Sequence, residues 1–543
     1  MKRNTLAVLA TLLIFFTNNA LSDKTKPNIL WINIDDQSPW YGSYGDNTVE
    51  TPNIDALARQ GVLFERAYVP TPVCAPSRSS LITGNYNIRI GAHDMRSGRV
   101  PGYQIHLPEG VTPIPELFRA AGFETYNDSK DDFNFTYKRS DLYSIGATNQ
   151  PDITAGKTRA AMSRKPAAEK AAAGKKATVG KQAAIPAAKT AANATGLKGN
   201  STLARGDQSW KGAPGGGDWR DVPKGKAFFG QTSVAGGKGM NVAAMASYGA
   251  TPIDPASVRV PAQYPDIPQV RQQIATHYNT VLRTDYQIGQ TIARLKADGL
   301  WENTIIFLFT DHGSDMPRSK EFVYVEGLQV PLIVIAPGMQ DVVKPGTRRS
   351  DIVNLMDVAA TSLALAGLEI PESMDAKNLF AKDYARKYVF SSADRMSNVI
   401  DRVRSVMGER YHYIRNFMLD RPLMNWGHRE MISLRDPEAS SFLTIRRLAG
   451  EGKLTAAQAA PYGPRIAEEL YDLKNDPDEV VNLAADPTHK AKLEEMQAAL
   501  AWWIEDTDDK GQYPRSQAAM DEITGRFPVN WLRSPDFSEL KED

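Results

Sequence analysis

Three short runs in this chain are apolar at nearly every position, and two of them stop on acids. Residues 27–34 lead into Asp35 and Asp36, and residues 304–310 lead into Asp311, His312 and Gly313. A third run, 331–337, is bounded by Pro331 and Pro337. Short runs without polar alternation fit strands buried on both faces. Between the first two, residues 270–298 repeat with helical period, placing Tyr278, Leu282, Tyr286, Ile288, Ile292 and Leu295 on one face, and Gly299 ends the helix. Residues 51–58 start a shorter helix that Gly61 stops. Helices alternating with apolar strands predict an α/β domain around a mostly parallel sheet. Such sheets collect ligands at the carboxyl ends of their strands, so both acidic ends point to one site.

The chain of 543 residues is long enough for two or three domains with a large core, and 42% hydrophobic with 23% charged residues excludes a wholly disordered or fibrous protein. We read residues 23–380 as the larger domain, the one that bears the acidic strand ends. Beyond 380 the pattern changes to short alternating runs near 388–390, 403–407 and 411–417, then helical stretches near 440–460 and 488–505. This predicts a smaller α+β domain over 381–543, with a cleft near the junction. Residues 151–225 interrupt the first domain with an Ala/Lys/Gly-rich insertion. Its segment 157–200 holds ten Lys or Arg against Glu169 alone, so although net charge is only +1 the rest of the chain is net acidic. A whole-protein nucleic-acid reading is therefore excluded, and the insertion reads as a solvated linker before it reads as a binder of anionic polymers.

At the start, Lys2 and Arg3 precede an apolar run from Leu6 to Phe16 and then small polar residues to Ser22. This is the shape of a signal peptide over residues 1–22, which predicts a periplasmic or secreted protein. The run is short for a membrane span, so no stable membrane insertion is expected after cleavage; a retained N-terminal anchor is the alternative. No cysteine follows the run, which excludes a lipid-modified N-terminus. Cys74 is the sole cysteine, so no intrachain disulfide can form.

That cysteine sits in Cys74-Ala75-Pro76-Ser77-Arg78, followed by Leu81-Ile82-Thr83-Gly84. A lone cysteine can be a small buried hydrophobe, but a neighbouring arginine favours an anionic ligand and lowers a thiol's pKa, which makes Cys74 equally a nucleophile candidate. The motif resembles the signature of the formylglycine-dependent sulfatases. Asp35-Asp36, Lys130, Asp311-His312-Gly313 and Lys320 follow that family's order, and residues 469–473 with 475–483 resemble its C-terminal segment. Residues 90–96 (with His93 and Arg96) and 413–417 look closer to a branch of heparan N-sulfatase-like and marine-polysaccharide sulfatases.

The resemblance implies an alkaline-phosphatase-like fold and conversion of Cys74 to 3-oxoalanine (Cα-formylglycine) by a maturation enzyme. It implies a divalent metal, calcium before magnesium, on Asp35, Asp36, Cys74, Asp311 and His312; the imidazole, where many relatives have Asn, leaves the metal's identity open. Arg78 would hold the hydrated aldehyde, and Lys130 and Lys320 would bind sulfate oxygens. His93 is assigned to the site by its loop. Two positions depart from the family pattern: Asp132 stands where many relatives have His, and Lys238 stands where a histidine usually ends the strand near residues 227–234. Lysine there can supply charge, and a proton if its pKa is depressed; His277 is a substitute candidate that reads more simply as a helix-surface residue. Arg96, Arg395, Arg402, Arg404 and Arg415 are candidates for a polyanionic sugar, and Trp40, Trp210 and Trp426 for stacking on sugar rings. The expected activity is sulfate ester hydrolysis on a sulfated oligo- or polysaccharide, algal ulvan foremost. N-sulfoglucosamine hydrolysis, a weakly active glycan-binding relative, and a metal-dependent phosphohydrolase are the alternatives.

Overall fold

The computed structural model describes residues 26–147 and 216–541, apart from 129, 425, 426, 428–432, 435 and 533. The signal-peptide assignment, most of the insertion, Trp210 and Trp426 lie outside the described residues. The insertion's last ten residues are described, and there Trp219 is buried and its indole donates to Asp298 at 2.7 Å.

Seven strands form the central sheet: β1 (Asn28–Ile34), β2 (Val62–Tyr68), β3 (Glu124–Asn127), β4 (Phe228–Val234), β5 (Thr304–Thr310), β6 (Gln329–Ile335) and β7 (Thr347–Asn354). Their spatial order is β3-β4-β1-β5-β6-β2-β7. Every neighbouring pair is parallel except those made by β6, which runs antiparallel to β5 and β2. The third apolar run is therefore the sheet's one reversed strand, and the sheet is mostly parallel as its apolar strands predict.

The inner strands bury both faces, whereas the edge strand β7 exposes Arg348 and Ser350. Ile29 and Trp31 of β1 join Ile305, Phe307 and Phe309 of β5 on one side, whereas Leu30, Ile32 and Ile34 join Ile306 and Leu308 on the other. Trp31 packs edge-on against Phe229 and Phe309, and its indole donates to Ser362 at 2.9 Å, so its polar atom is satisfied within the core.

Helices cover both faces. The first side carries α2 (Cys74–Thr83) and α4 (Asp357–Leu365); the second carries α1 (Pro52–Gln60) and the thirty-residue α3 (Pro268–Ala297). α3 matches the predicted helix, with one exception: Tyr286 is exposed and meets Tyr248 at 5.6 Å. Three further helices of ten or more residues are α5 (Ser441–Gly450), α6 (Lys490–Asp506) and α7 (Gln517–Arg526).

A separate antiparallel sheet, β8 (Val389–Ala393), β9 (Val403–Met407), β10 (Tyr411–Asn416) and β11 (Glu468–Asp472), follows in chain order. Its apolar face, with Phe390, Val406, Tyr413 and Leu470, shares the first core with α2 and with Trp503 of α6. The smaller sheet thus packs against the side of the main domain that bears the cysteine helix.

Candidate active site

Because β1 and β5 are parallel neighbours in register, with Ile34 opposite Thr310, the next residues of each fall side by side. The backbone amide of Asp36 donates to the Asp311 carboxylate at 3.1 Å, and Asp36 has φ +53, a left-handed conformation that re-aims its side chain. α2 arrives from the side with Cys74 as its first helical residue, where the amide dipoles favour negative charge. Every residue of α2 is buried, and two of its serines find partners inside: Ser77 Oγ donates to the Asp311 carbonyl at 2.6 Å and Ser79 Oγ to the Ala75 carbonyl at 2.8 Å. Gly84, at φ +67, closes the helix by donating to Ser80 at 2.8 Å.

One turn after Cys74, the buried Arg78 guanidinium bridges the floor. It pairs with Asp35 and, through Nε at 3.0 Å, with Asp311, and it donates to the Lys130 carbonyl at 3.2 Å.

Three lysines close over these groups. Lys320 Nζ lies 2.7 Å from Asp36 and 3.6 Å from Cys74 Sγ. Lys238 Nζ lies 2.7 Å from Asp35, 3.4 Å from Asp36 and 4.0 Å from Cys74 Sγ. Lys130 Nζ lies 3.4 Å from both Asp35 and Asp132 and 3.8 Å from Asp311. Cys74 is only 2% exposed while the Lys238 side chain is 38% exposed, so solvent reaches the cluster from the lysine side.

The charges act on one another through a low-dielectric interior. Burial alone would raise the Cys74 thiol, but Lys130, Lys238 and Lys320 outweigh it and bring the thiol down to about 6. Burial likewise opposes ionisation of Asp35 and Asp36. The lysines, with Arg78 beside Asp35 and His312 beside Asp36, still hold both well below the usual carboxylate range. The site is built to keep negative charge at Cys74 and the aspartates and to face it with ammonium groups.

Ligand atoms of Asp36, Cys74, Asp311 and His312 all fall within 4.8 Å of one another. His312 Nε2 stands 3.1 Å from both Cys74 Sγ and Asp36, and its Nδ1 meets the Gly313 carbonyl at 2.9 Å, which fixes the ring. Two carboxylates, an oriented imidazole and the cysteine position suit a divalent cation. Asp35, expected as a fifth ligand, pairs with Arg78, Lys238 and Lys130.

Other expected residues divide into near and remote. Arg96 is near: its side chain is 51% exposed, its Nε lies 3.8 Å from Asp132, and Asp132 and Cys74 both stabilise its charge. Asp132, at φ +57, thus bridges Lys130 and Arg96 from the place where many relatives have histidine. His93 is half-buried, its charge interactions are with Asp94 and Asp394, and its buried Nδ1 has no hydrogen-bond partner among the described residues.

Arg404 is not a surface ligand. It is 0% exposed and held by Asp394 at 3.0 Å and Asp509 at 2.8 Å. Arg402 lies over the Phe417 ring and pairs with Asp509 at 3.3 Å, and Arg415 pairs with Glu468 at 3.1 Å; neither joins the Cys74 cluster. Arg395 is buried beside Asp94. His277, expected at the helix surface, is buried against Trp40 at 4.8 Å, and burial lowers its pKa to about 4.

The sequence did not point to the residues that carry the loop of His93 and Arg96. Arg515 donates twice to Asp94, at 2.8 and 2.9 Å, and Glu522 of α7 accepts from Ser97 at 2.9 Å and from the Gly98 amide at 3.3 Å. These contacts join residues more than four hundred positions apart, and only the fold brings them together.

Comparison with known proteins agrees with this geometry. The sulfatase family model matches residues 27–182 and 221–368, and a model of the C-terminal part of N-sulphoglucosamine sulphohydrolase matches 317–422. An ulvan-active sulfatase of Formosa agariphila is 28% identical over 508 residues, covering 91% of this chain and 77% of that protein. Human N-sulphoglucosamine sulphohydrolase is 24% identical over 512 residues, covering 89% and 90%. Among solved structures, the 2-O GAG sulfatase BT1596 superposes with a TM-score of 0.56 at 21% identity, covering 92% of this chain and 96% of that one, which shows the shared fold. With the cysteine at a helix start, paired acidic strand ends beneath it and lysines above, the chain belongs to the sulfatase family and is a sulfuric ester hydrolase.

Proposed function

We propose that this enzyme is exported and removes sulfate from a sulfated, anionic carbohydrate of the ulvan type. The observation that carries the reading is the convergence of ammonium groups on one buried helix-start cysteine: Lys320 at 3.6 Å and Lys238 at 4.0 Å, with Lys130 beside them. A sulfate ester is a compact anion whose reaction builds further negative charge, and fixed cations at that place lower the barrier. The family resemblance and the ulvan-active relative supply the substrate class, and the basic start followed by an apolar run supports export.

Conversion of Cys74 to formylglycine by a maturation enzyme would supply a hydrated aldehyde whose hydroxyl is the nucleophile toward sulfur. A divalent cation on Asp36, Asp311, His312 and the converted Cys74, calcium by its preference for carboxylate oxygen, would hold that nucleophile and offset its charge. The chain's own side chains do the rest. Arg78 fixes Asp35 and Asp311. Lys130 and Lys320 take sulfate oxygens. Lys238 faces the open side, where it neutralises charge and stands nearest a leaving oxygen; its neighbouring carboxylates hold its pKa well above the usual value against the effect of burial, so it enters the reaction charged. Arg96 points a half-exposed guanidinium toward the same opening and would meet a carboxylate or second sulfate of the sugar.

The test is peptide mass for formylglycine at Cys74 together with turnover of 4-methylumbelliferyl sulfate, with Cys74→Ala as control. Converted protein releasing sulfate where the control does not supports the reading; converted protein that turns over neither this probe nor ulvan oligosaccharides contradicts it. The match of residues 317–422 to the N-sulphoglucosamine sulphohydrolase C-terminal region favours N-desulfation of glucosamine as the second reading.

A further inference from the structure

Lys238 does not sit on a secondary-structure element. It follows β4 in the turn Gly236–Gly239, and a loop lysine placed by chance would not hold its Nζ at a fixed distance from Asp35. One face of this turn lies flat on the acidic end of β1. Gly236 has φ +54 and Gly237 donates its amide to the Asp35 carbonyl at 2.8 Å; a Cβ on Gly236 or Gly237 would come within 1.8 or 2.0 Å of the Asp35 or Asp36 carbonyl oxygen. Only glycine lets the two backbones approach so closely.

The other face of the turn is gathered by a single buried side chain. Arg283, near the middle of α3, donates Nη1 to the Gly239 carbonyl at 2.5 Å and Nη2 to the carbonyls of Gly236 at 2.6 Å and Lys238 at 2.8 Å. All three hydrogen-bond partners are main-chain oxygens of this one turn, and among the described residues no carboxylate pairs with the guanidinium. A buried guanidinium whose two terminal nitrogens both bind carbonyls fixes backbone geometry, because its planar fork tolerates little displacement of the oxygens it binds.

We propose that Arg283 is a positioning residue that sets Lys238 against Cys74 and the substrate. The inference rests on the reading of Lys238 as the cation on the open side of the site. α3 acts as the rigid support: it packs along the sheet, and the Arg283 side chain carries that rigidity into the turn. Loss of the guanidinium frees three carbonyls and lets the lysine swing away from Asp35, although the lysine and every residue of the floor remain.

The test uses full-length protein with converted Cys74 and 4-methylumbelliferyl sulfate as the probe, with hydrogen exchange of the Gly237 and Lys238 amides as the second readout. Arg283→Met is expected to speed exchange at those amides about tenfold or more and to lower kcat by about 10- to 100-fold with little change in KM, the size of effect a small misplacement produces. Arg283→Lys should restore part of both. In a Lys238→Ala background, Arg283→Met should cost less than about twofold more, because it acts through the residue already removed. A full Arg283→Met loss that persists in that background overturns the proposal, as does unchanged exchange in the turn. If Lys238→Ala leaves kcat intact while Arg283→Met still loosens the turn, the assignment of Lys238 fails and the anchoring of the turn stands. Should Arg283→Met fail to fold, Arg283→Lys carries the exchange comparison, and no change in it overturns the proposal.

Discussion

The floor and the rim of this site are made in different ways. The floor, Asp35, Asp36, Cys74, Arg78, Asp311 and His312, hangs from the ends of two adjacent strands and the first turn of one helix, and all of it is buried. The rim, Lys130, Lys238 and Arg96, hangs from loops and reaches solvent. Two of these loops are held by distant partners: the Lys238 turn by Arg283, and the Arg96 loop by Arg515 and Glu522. The floor fixes the reaction class, and the rim can change with substrate without disturbing it, because no rim residue carries the sheet. Substitutions in the two should therefore fail differently, the floor in both stability and chemistry, the rim in binding and rate alone.

The largest effect belongs to the floor. Arg78→Met leaves Asp35 and Asp311 buried without their guanidinium, which should cost about 3–5 kcal/mol of stability. Turnover should fall by about 10²–10³-fold in whatever protein folds, read by urea denaturation and by sulfate release. Equal kcat in the folded variant would break the distinction.

Arg404→Met should match that cost in stability, about 3–5 kcal/mol, because Asp394 and Asp509 lose a buried partner, but KM should not change. A raised KM would restore Arg404 as a substrate ligand.

Next comes Glu321, directly after Lys320 and at φ +78, whose carboxyl accepts from the Gly427 amide at 3.2 Å. Burial raises its pKa to about 7, against the pull of Lys320 and His312 and with the push of Cys74. The folded state therefore holds a proton that the unfolded chain releases near pH 4.3, so this group's contribution to stability falls as pH rises from about 4.3 to 7. Glu321→Gln removes that penalty: it should stabilise the protein by on the order of 2 kcal/mol at pH 8 and by little at pH 4.5, measured as Tm at both pH values. Equal shifts at both would contradict it.

The smallest effect is on the rim. Arg96→Ala should raise KM for an anionic glycan about tenfold, leaving Tm and the KM for 4-methylumbelliferyl sulfate unchanged. Parallel changes in both KM values would move Arg96 from the sugar to the sulfate.

The same division explains how much could be read from sequence. The floor is legible because its residues come in contiguous groups at strand ends and one helix start, and parallel-sheet topology brings such ends together. The sheet and the α3 helix follow from periodicity for the same reason. The rim depends on contacts that have no local signature. Arg404 of β9 and Arg402 just before it point the same way by simple alternation, yet what they face is Asp509, about a hundred residues on, and only the fold shows that Arg404 is internal. His277 was expected at a helix surface because a helix ordinarily has one; on α3 the Trp40 ring covers that position. Asp132 could be noticed as a departure from the family pattern, but its place between Lys130 and Arg96 could not.

The central claim is that this floor, facing this rim, releases sulfate from an anionic carbohydrate. The direct measurement is sulfate release by full-length protein, shown by peptide mass to carry formylglycine at Cys74, on ulvan, carrageenan, fucoidan and heparan oligosaccharides, beside Cys74→Ala. The account predicts release from at least one glycan, ulvan foremost, and none in the control. Fully converted protein that releases no sulfate from any of them would contradict it.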